Sequence, residues 1–161
     1  DRYRFPALVD VNLRAPWWKR EDVLEWLKGT AWVKLNREEA GLLGQATAED
    51  PVELEGAGNR FRQDHEIDHL IMTLGEEGSL ALTPRGAIRQ EAARVHAEVD
   101  SVGAGDAFAA VLILGIHQGW PLPETLKRAS AFAGDLCRIR GATTDDPELY
   151  SRHLRSWGHA S

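Results

Sequence analysis

Asp100-Ser101-Val102-Gly103-Ala104-Gly105-Asp106 runs directly into an apolar stretch, Ala107 to Ile116. Two glycines flanking one alanine allow backbone angles that a side chain forbids, and the stretch after them is long enough for a buried helix. A glycine turn that opens onto a helix gathers unpaired N–H groups at the positive end of the helix dipole. That place suits an anion, above all a phosphate. Asp106 falls in the first turn, where a carboxylate beside the anion can take a proton from an attacking hydroxyl. The same residues also describe a plain glycine-rich turn whose acid favours the helix start. They are not a Walker loop, because no Gly-Lys-Ser/Thr follows the glycines.

Away from this stretch, apolar periodicity marks out the remaining elements. Phe5 to Val11 reads as a strand, and Pro16 ends the segment after it. Arg20 to Leu27 has helical spacing, with Val23, Leu24 and Leu27 on one face. Ala31 to Leu35 is a short strand, and Asn36 with Glu39 three residues on suits a helix N-cap. Pro51 starts another helix. Leu70 to Leu74 and Ser79 to Thr83 read as hairpin strands around a Gly75–Gly78 turn, and Gly86 and Ala92 to Val95 suggest one or two edge strands. Helices follow over Gly105 to Gln118, Pro123 to Arg140 and Pro147 to Trp157. In the second of these, Leu126, Ala129, Ala133, Leu136 and Cys137 share a face. Alternating strands and helices imply an α/β sheet covered by helices.

The glycine stretch resembles the signature of the ribokinase-like carbohydrate kinases, the PfkB family. Other segments resemble the same family in the same order. They are Asp10-Val11-Asn12-Leu13-Arg14, the Asn-x-x-Glu of Asn36 to Glu39, the turn Thr73-Leu74-Gly75-Glu76-Glu77-Gly78, and Ala129 to Ala142. The resemblance implies an α/β fold, a partial three-layer α/β/α ribokinase-like (Rossmann-like) domain. Residues 1–161 would form a single domain, the C-terminal half of a kinase without its N-terminal half and lid. It also implies ATP and Mg²⁺ as cofactors and a sugar as acceptor, with fructokinase and ketodeoxygluconate kinase members the nearest in feel. A full-length parent would leave room for a homodimer. An exposed Trp17 or Trp18 would then mark a contact left open by the missing half.

On this resemblance Asp106 is the general base, and the Gly103, Ala104 and Gly105 amides form an anion hole for the transferred phosphoryl group. Asn36 and Glu39 orient Mg²⁺-bound water, or else form a capping box with no ligand at all. Arg14, just past a strand end, forks onto a phosphate or pairs with a surface acid. Thr73, Gly75 and Gly78 shape the nucleotide side or simply turn a hairpin. Ser130, Ala133 and Ala142 border the adenine or allow tight helix packing. A half-length chain is expected to turn over ATP poorly. A non-catalytic nucleotide-binding or interaction domain, a kinase remnant, is the alternative.

Composition narrows the field further. Of 161 residues, 43% are hydrophobic, enough for a core and against disorder. The net charge of −6 and the lack of a basic run disfavour a nucleic-acid surface. No apolar run is long enough to span a bilayer, and no secretory signal pattern opens the chain. Cys137 is the single cysteine, which excludes an internal disulfide and suits a reducing, cytoplasmic setting. On an apolar helix face it is expected to be inert. His65-Glu66-Ile67-Asp68-His69 satisfies the His-Glu-x-x-His pattern of zinc hydrolases. That chemistry needs both imidazoles on one helix face, and here the residues run into a strand.

Overall fold

Leu8–Asp10 (β1), Trp32–Asn36 (β2), His69–Thr73 (β3), Ser79–Thr83 (β4) and Gly86–Gln90 (β5) pair in sequence order into one five-stranded sheet. The computed structural model describes residues 7–44, 49–93, 102–139, 141 and 143–158. The first three strands run parallel, and β3, β4 and β5 form an antiparallel meander. Parallel neighbours need crossovers. Arg20–Leu27 (α1) lies between β1 and β2, and Arg37–Leu42 (α2) and Pro51–Asp64 (α3) lie between β2 and β3. The chain divides into two compact units, one ending at Glu91 and one beginning at Ala92.

In the first unit, alternate strand residues form one apolar sheet face. Val33 and Leu35, Leu70 and Met72, and Leu80 and Leu82 join Val23 and Leu27 of α1, Ala40 of α2, the adjoining Leu43, and Leu54 and Phe61 of α3 in a single core. Burying each large side chain contributes about 1.5–3 kcal/mol. The period-two pattern that builds this face sends Asp10, Lys34, Asn36, Thr73 and Ser79 to the opposite one. Val9, Val11, Leu13, Trp18, Val23 and Leu27 line a groove of about 230 Å³ next to β1. Trp17 at its rim is 86% exposed, and Trp26 is 69% exposed.

The second unit is helical. Ala104–Gln118 (α4) and Leu122–Leu136 (α5) pack through Ala107, Phe108, Val111, Leu112 and Gly115 on one side and Thr125, Leu126, Ala129, Phe132 and Leu136 on the other. Gly115 permits this approach, since a Cβ there would stand 2.4 Å from Thr125 Cγ2. Pro147–Ser156 (α6) is fastened to α5 where Arg152 and His153 Nε2 reach Asp135 Oδ2 at 2.8 and 2.9 Å.

Most expected elements are present, with small corrections. The long helix from Pro123 ends at Leu136 rather than Arg140, because Arg138 and Ile139 turn back onto Asp135 and Leu136 in a tightened last turn. Phe132 is buried, and Ala133 and Cys137 are only half-buried. One edge strand follows β4. Ala92 and Ala93 belong to no strand, and residues 94 and 95 lie outside the described residues. No helix among the described residues is long and apolar enough to cross a membrane.

Candidate functional site

The segment Asp10–Arg14 leaves the carboxyl end of β1, and the residues of β2 and α2 hold it. Asp10 and Lys34 are register partners. Lys34 Nζ donates to Asp10 Oδ1 at 3.0 Å and Oδ2 at 2.9 Å. The Val11 amide donates to the Lys34 carbonyl at 3.0 Å. Asn12, at φ 41°, then turns the backbone in the left-handed region, which asparagine tolerates better than most residues.

Asn36 caps α2 as its spacing predicts, and Glu39 closes a capping box. Asn36 Oδ1 accepts from the Glu39 amide at 2.9 Å, and Glu39 Oε2 accepts from the Asn36 amide at 2.8 Å. The spacing did not foretell the third bond, in which Glu39 Oε1 accepts from the Leu13 amide at 2.9 Å. Glu39 is buried, at 6% exposure. One carboxylate therefore joins the Asp-x-Asn-x-Arg and Asn-x-x-Glu segments. Arg14 follows Leu13, is exposed, and has no carboxylate partner among the described residues.

Thr73 ends β3 in register with Asn36 of β2 and Ser79 of β4. Gly75 (φ 62°) then opens a 3-10 turn over Gly75–Glu77, and Gly78 (φ 94°) closes it. The Leu74 amide donates to the Gly78 carbonyl at 2.8 Å. An exposed ion pair, Arg37 to Glu77 at 2.8 Å, links this turn to the start of α2. Arg14, Asn36, Thr73 and Gly75 thus follow or close the carboxyl ends of β1, β2 and β3, the end of a parallel sheet where ligands bind. Two features of this region escaped the sequence reading. Lys34 was legible only as a lone cation inside an apolar strand. Ser79 is buried, and its Oγ has no hydrogen-bond partner among the described residues.

In the second unit Gly103, at φ 83°, is the N-cap of α4, and no side chain among the described residues caps the helix. A helix start leaves its first N–H groups without intrahelical acceptors; here they belong to Ala104, Gly105 and Asp106. Asp106 is exposed in that first turn. Ser130 Oγ accepts from the Ala93 amide at 3.1 Å, so its hydroxyl serves the backbone. Ala133 lies half-buried on the same helix. Ala142 lies outside the described residues, as do Asp100 and Ser101.

The His-Glu-x-x-His segment does not form a zinc site. His65 caps the end of α3 and His69 opens β3. The His69 ring stacks on Trp32, its register partner, with centroids 3.8 Å apart. Burial lowers the His69 pKa, against a smaller opposing effect of the Ala31 carbonyl. No group of three or more His, Cys, Asp or Glu residues converges as a metal site among the described residues. Both Glu39 oxygens already accept backbone N–H groups, which leaves each oxygen one further lone pair for a water or a metal.

Comparison with known proteins places this geometry. A ribokinase from Arabidopsis thaliana, solved with ribose and ATP, superposes with a TM-score of 0.76 over 92% of this chain and 47% of its own, at 21% identity. The fold is a partial ribokinase fold. Residues 4–149 match the pfkB family carbohydrate kinases, and the chain belongs to that family. Aminoimidazole riboside kinase of Salmonella typhimurium is 30% identical over 151 residues, which span 88% of this chain and 45% of the relative. The crystal structure of the Salmonella enterica enzyme, with aminoimidazole riboside and an ATP analogue, matches at 27% identity and a TM-score of 0.74. That match covers 89% of this chain and 50% of the enzyme. The chain spans about half the length of these relatives.

Proposed function

We propose that this chain carries the ATP side and the catalytic base of a carbohydrate kinase that transfers the γ-phosphoryl group of ATP to a sugar hydroxyl. The observation that carries the reading is the left-handed Gly103 opening α4, with amides that no side chain among the described residues caps and Asp106 in the first turn, in a member of the pfkB family. Asp106 accepts the proton of the attacking hydroxyl. Such a base contributes about 10²–10⁴-fold to the rate. The amides at Gly103, Ala104 and Gly105 stabilise the charge spread over the transferred group, since phosphoryl transfer is governed by positioning and electrostatics. Arg14 forks onto a phosphate, and Thr73, Gly75 and Gly78 bring backbone close to the nucleotide. Ser130, Ala133 and Ala142 border the base. Mg²⁺, when bound with ATP, neutralises phosphate charge, and Asn36 and Glu39 reach it through water. Residues 1–161 act as one domain in this reading.

The acceptor class is a sugar or its glycosylated relatives, in line with the riboside acceptor named for the Salmonella enzyme. A coupled assay of ADP release over fructose, ribose, ketodeoxygluconate and aminoimidazole riboside tests the reading, with slow, sugar-dependent turnover expected. No sugar dependence at any concentration overturns the transfer step. A second reading of the same α4 start is nucleotide binding without transfer. It predicts ATP binding by calorimetry together with a silent coupled assay.

A further inference from the structure

Asp10, Val11 and Leu13 are each fastened to the segment that runs from Lys34 to Glu39. The fastenings are the ion pair of Lys34, the carbonyl of Lys34 and the carboxylate of Glu39. Between the second and third lies Asn12, in a backbone conformation that has to be held. The third fastening sits one peptide before Arg14, and it comes from a side chain that the helix cap alone would not require to be buried. An Asn-x-x-Glu cap at a solvated helix end completes its reciprocal bonds with one carboxylate oxygen. Here the second oxygen crosses 26 residues of sequence to a backbone amide in another loop.

We infer that Glu39 is a positioning residue for Arg14, acting by holding the Leu13 peptide and so fixing where the next residue leaves the carboxyl end of β1. The inference rests on the ATP reading above for the use to which Arg14 is put, and on the geometry alone for the brace itself. It gives Glu39 a task separate from any contact made through metal-bound water. A carboxylate that receives two amides is held rigidly, and a charge-assisted bond of this kind sets a loop more firmly than a neutral one.

Glu39→Gln separates the tasks. Glutamine serves a capping box as well as glutamate does, so α2 keeps its cap. The amide retains one acceptor oxygen and turns an NH₂ toward the other N–H, so the bond to Leu13 is lost. Amide hydrogen exchange on the free chain should show Leu13 exchanging about tenfold faster or more in Glu39→Gln, with the Glu39-position amide unchanged. ATP affinity should fall about tenfold in Glu39→Gln and in Arg14→Ala, equally with and without Mg²⁺, and the double variant should bind no worse than Arg14→Ala.

Unchanged Leu13 exchange overturns the inference, and so does an affinity loss that appears only with Mg²⁺ or that adds to the Arg14 loss. Wild-type affinity in Arg14→Ala overturns it without recourse to the Glu39 variant, because nothing then needs positioning. If the unaltered chain does not bind ATP, the nucleotide reading fails, and the Leu13 exchange still decides the brace.

Discussion

Lys34 Nζ lies 2.9 Å from one carboxylate oxygen of Asp10 and 3.0 Å from the other, across the register of two parallel strands. The lysine side chain is 6% exposed and the aspartate 24%. Taking two charges this far out of water is costly, and removing one partner leaves the other buried and unpaired. Asp10→Ala should therefore destabilise the chain by about 3 kcal/mol. Asp10→Ala with Lys34→Met should be milder than the single change, since no orphan ammonium remains. Urea titrations of the two variants check this, and equal midpoints would show that the pair is not coupled.

Asp106 provides the catalytic test. Asp106→Asn keeps the shape of the first turn and removes the proton acceptor. Turnover should fall about 10²–10⁴-fold, while ATP affinity changes by no more than about threefold, under 1 kcal/mol. Steady-state kinetics with a parallel calorimetric titration read the two quantities separately. A near-normal rate would take Asp106 out of the base role.

Ser79 predicts a gain on substitution. Its hydroxyl is buried without a partner among the described residues, and an unsatisfied buried hydroxyl costs about 1–3 kcal/mol. Ser79→Ala keeps the strand and removes the group, so its melting temperature should rise. A lower melting temperature would mean that the hydroxyl is satisfied in solution.

The stacked His69 gives the chain a pH dependence of known sign. Burial holds its folded pKa below the ordinary histidine value, so the folded state favours the neutral ring. The unfolded chain takes up the proton first, near pH 6.5. The contribution of His69 is therefore fully present above that pH, and it falls away as the pH drops through the depressed folded value. Melting followed between pH 8 and 5 should show this decline, flattened in His69→Phe, which retains a ring to stack on Trp32. An unchanged slope in that variant would assign the decline to other groups.

The sequence made the local structure legible and left the long-range ties hidden. Arg20–Leu27 was read with its observed bounds because three apolar residues at helical spacing mark one buried face. Asn36 declared its cap because the N3 glutamate is a local signal. The turn at Gly75 and Gly78 announced itself through glycines that do adopt positive φ. The bond from Glu39 to Leu13 and the pair of Lys34 with Asp10 were not readable. Each joins residues more than twenty positions apart, and strand register, which no single segment contains, brings them together. The end of α5 was misjudged for a different reason: Cys137, Arg138 and Ile139 are acceptable helix residues, and it is the tightened last turn that stops them.

The margin of the sheet at β1 bears on how the chain behaves in solution. Open N–H and C=O groups on an outer strand invite another strand to add, but among the described residues β1 offers three residues of template. The bare indoles of Trp17 and Trp26 offer much more apolar area close by. Self-association at high concentration should accordingly be led by side chains rather than by backbone pairing. Such clusters weaken on cooling and disperse on dilution.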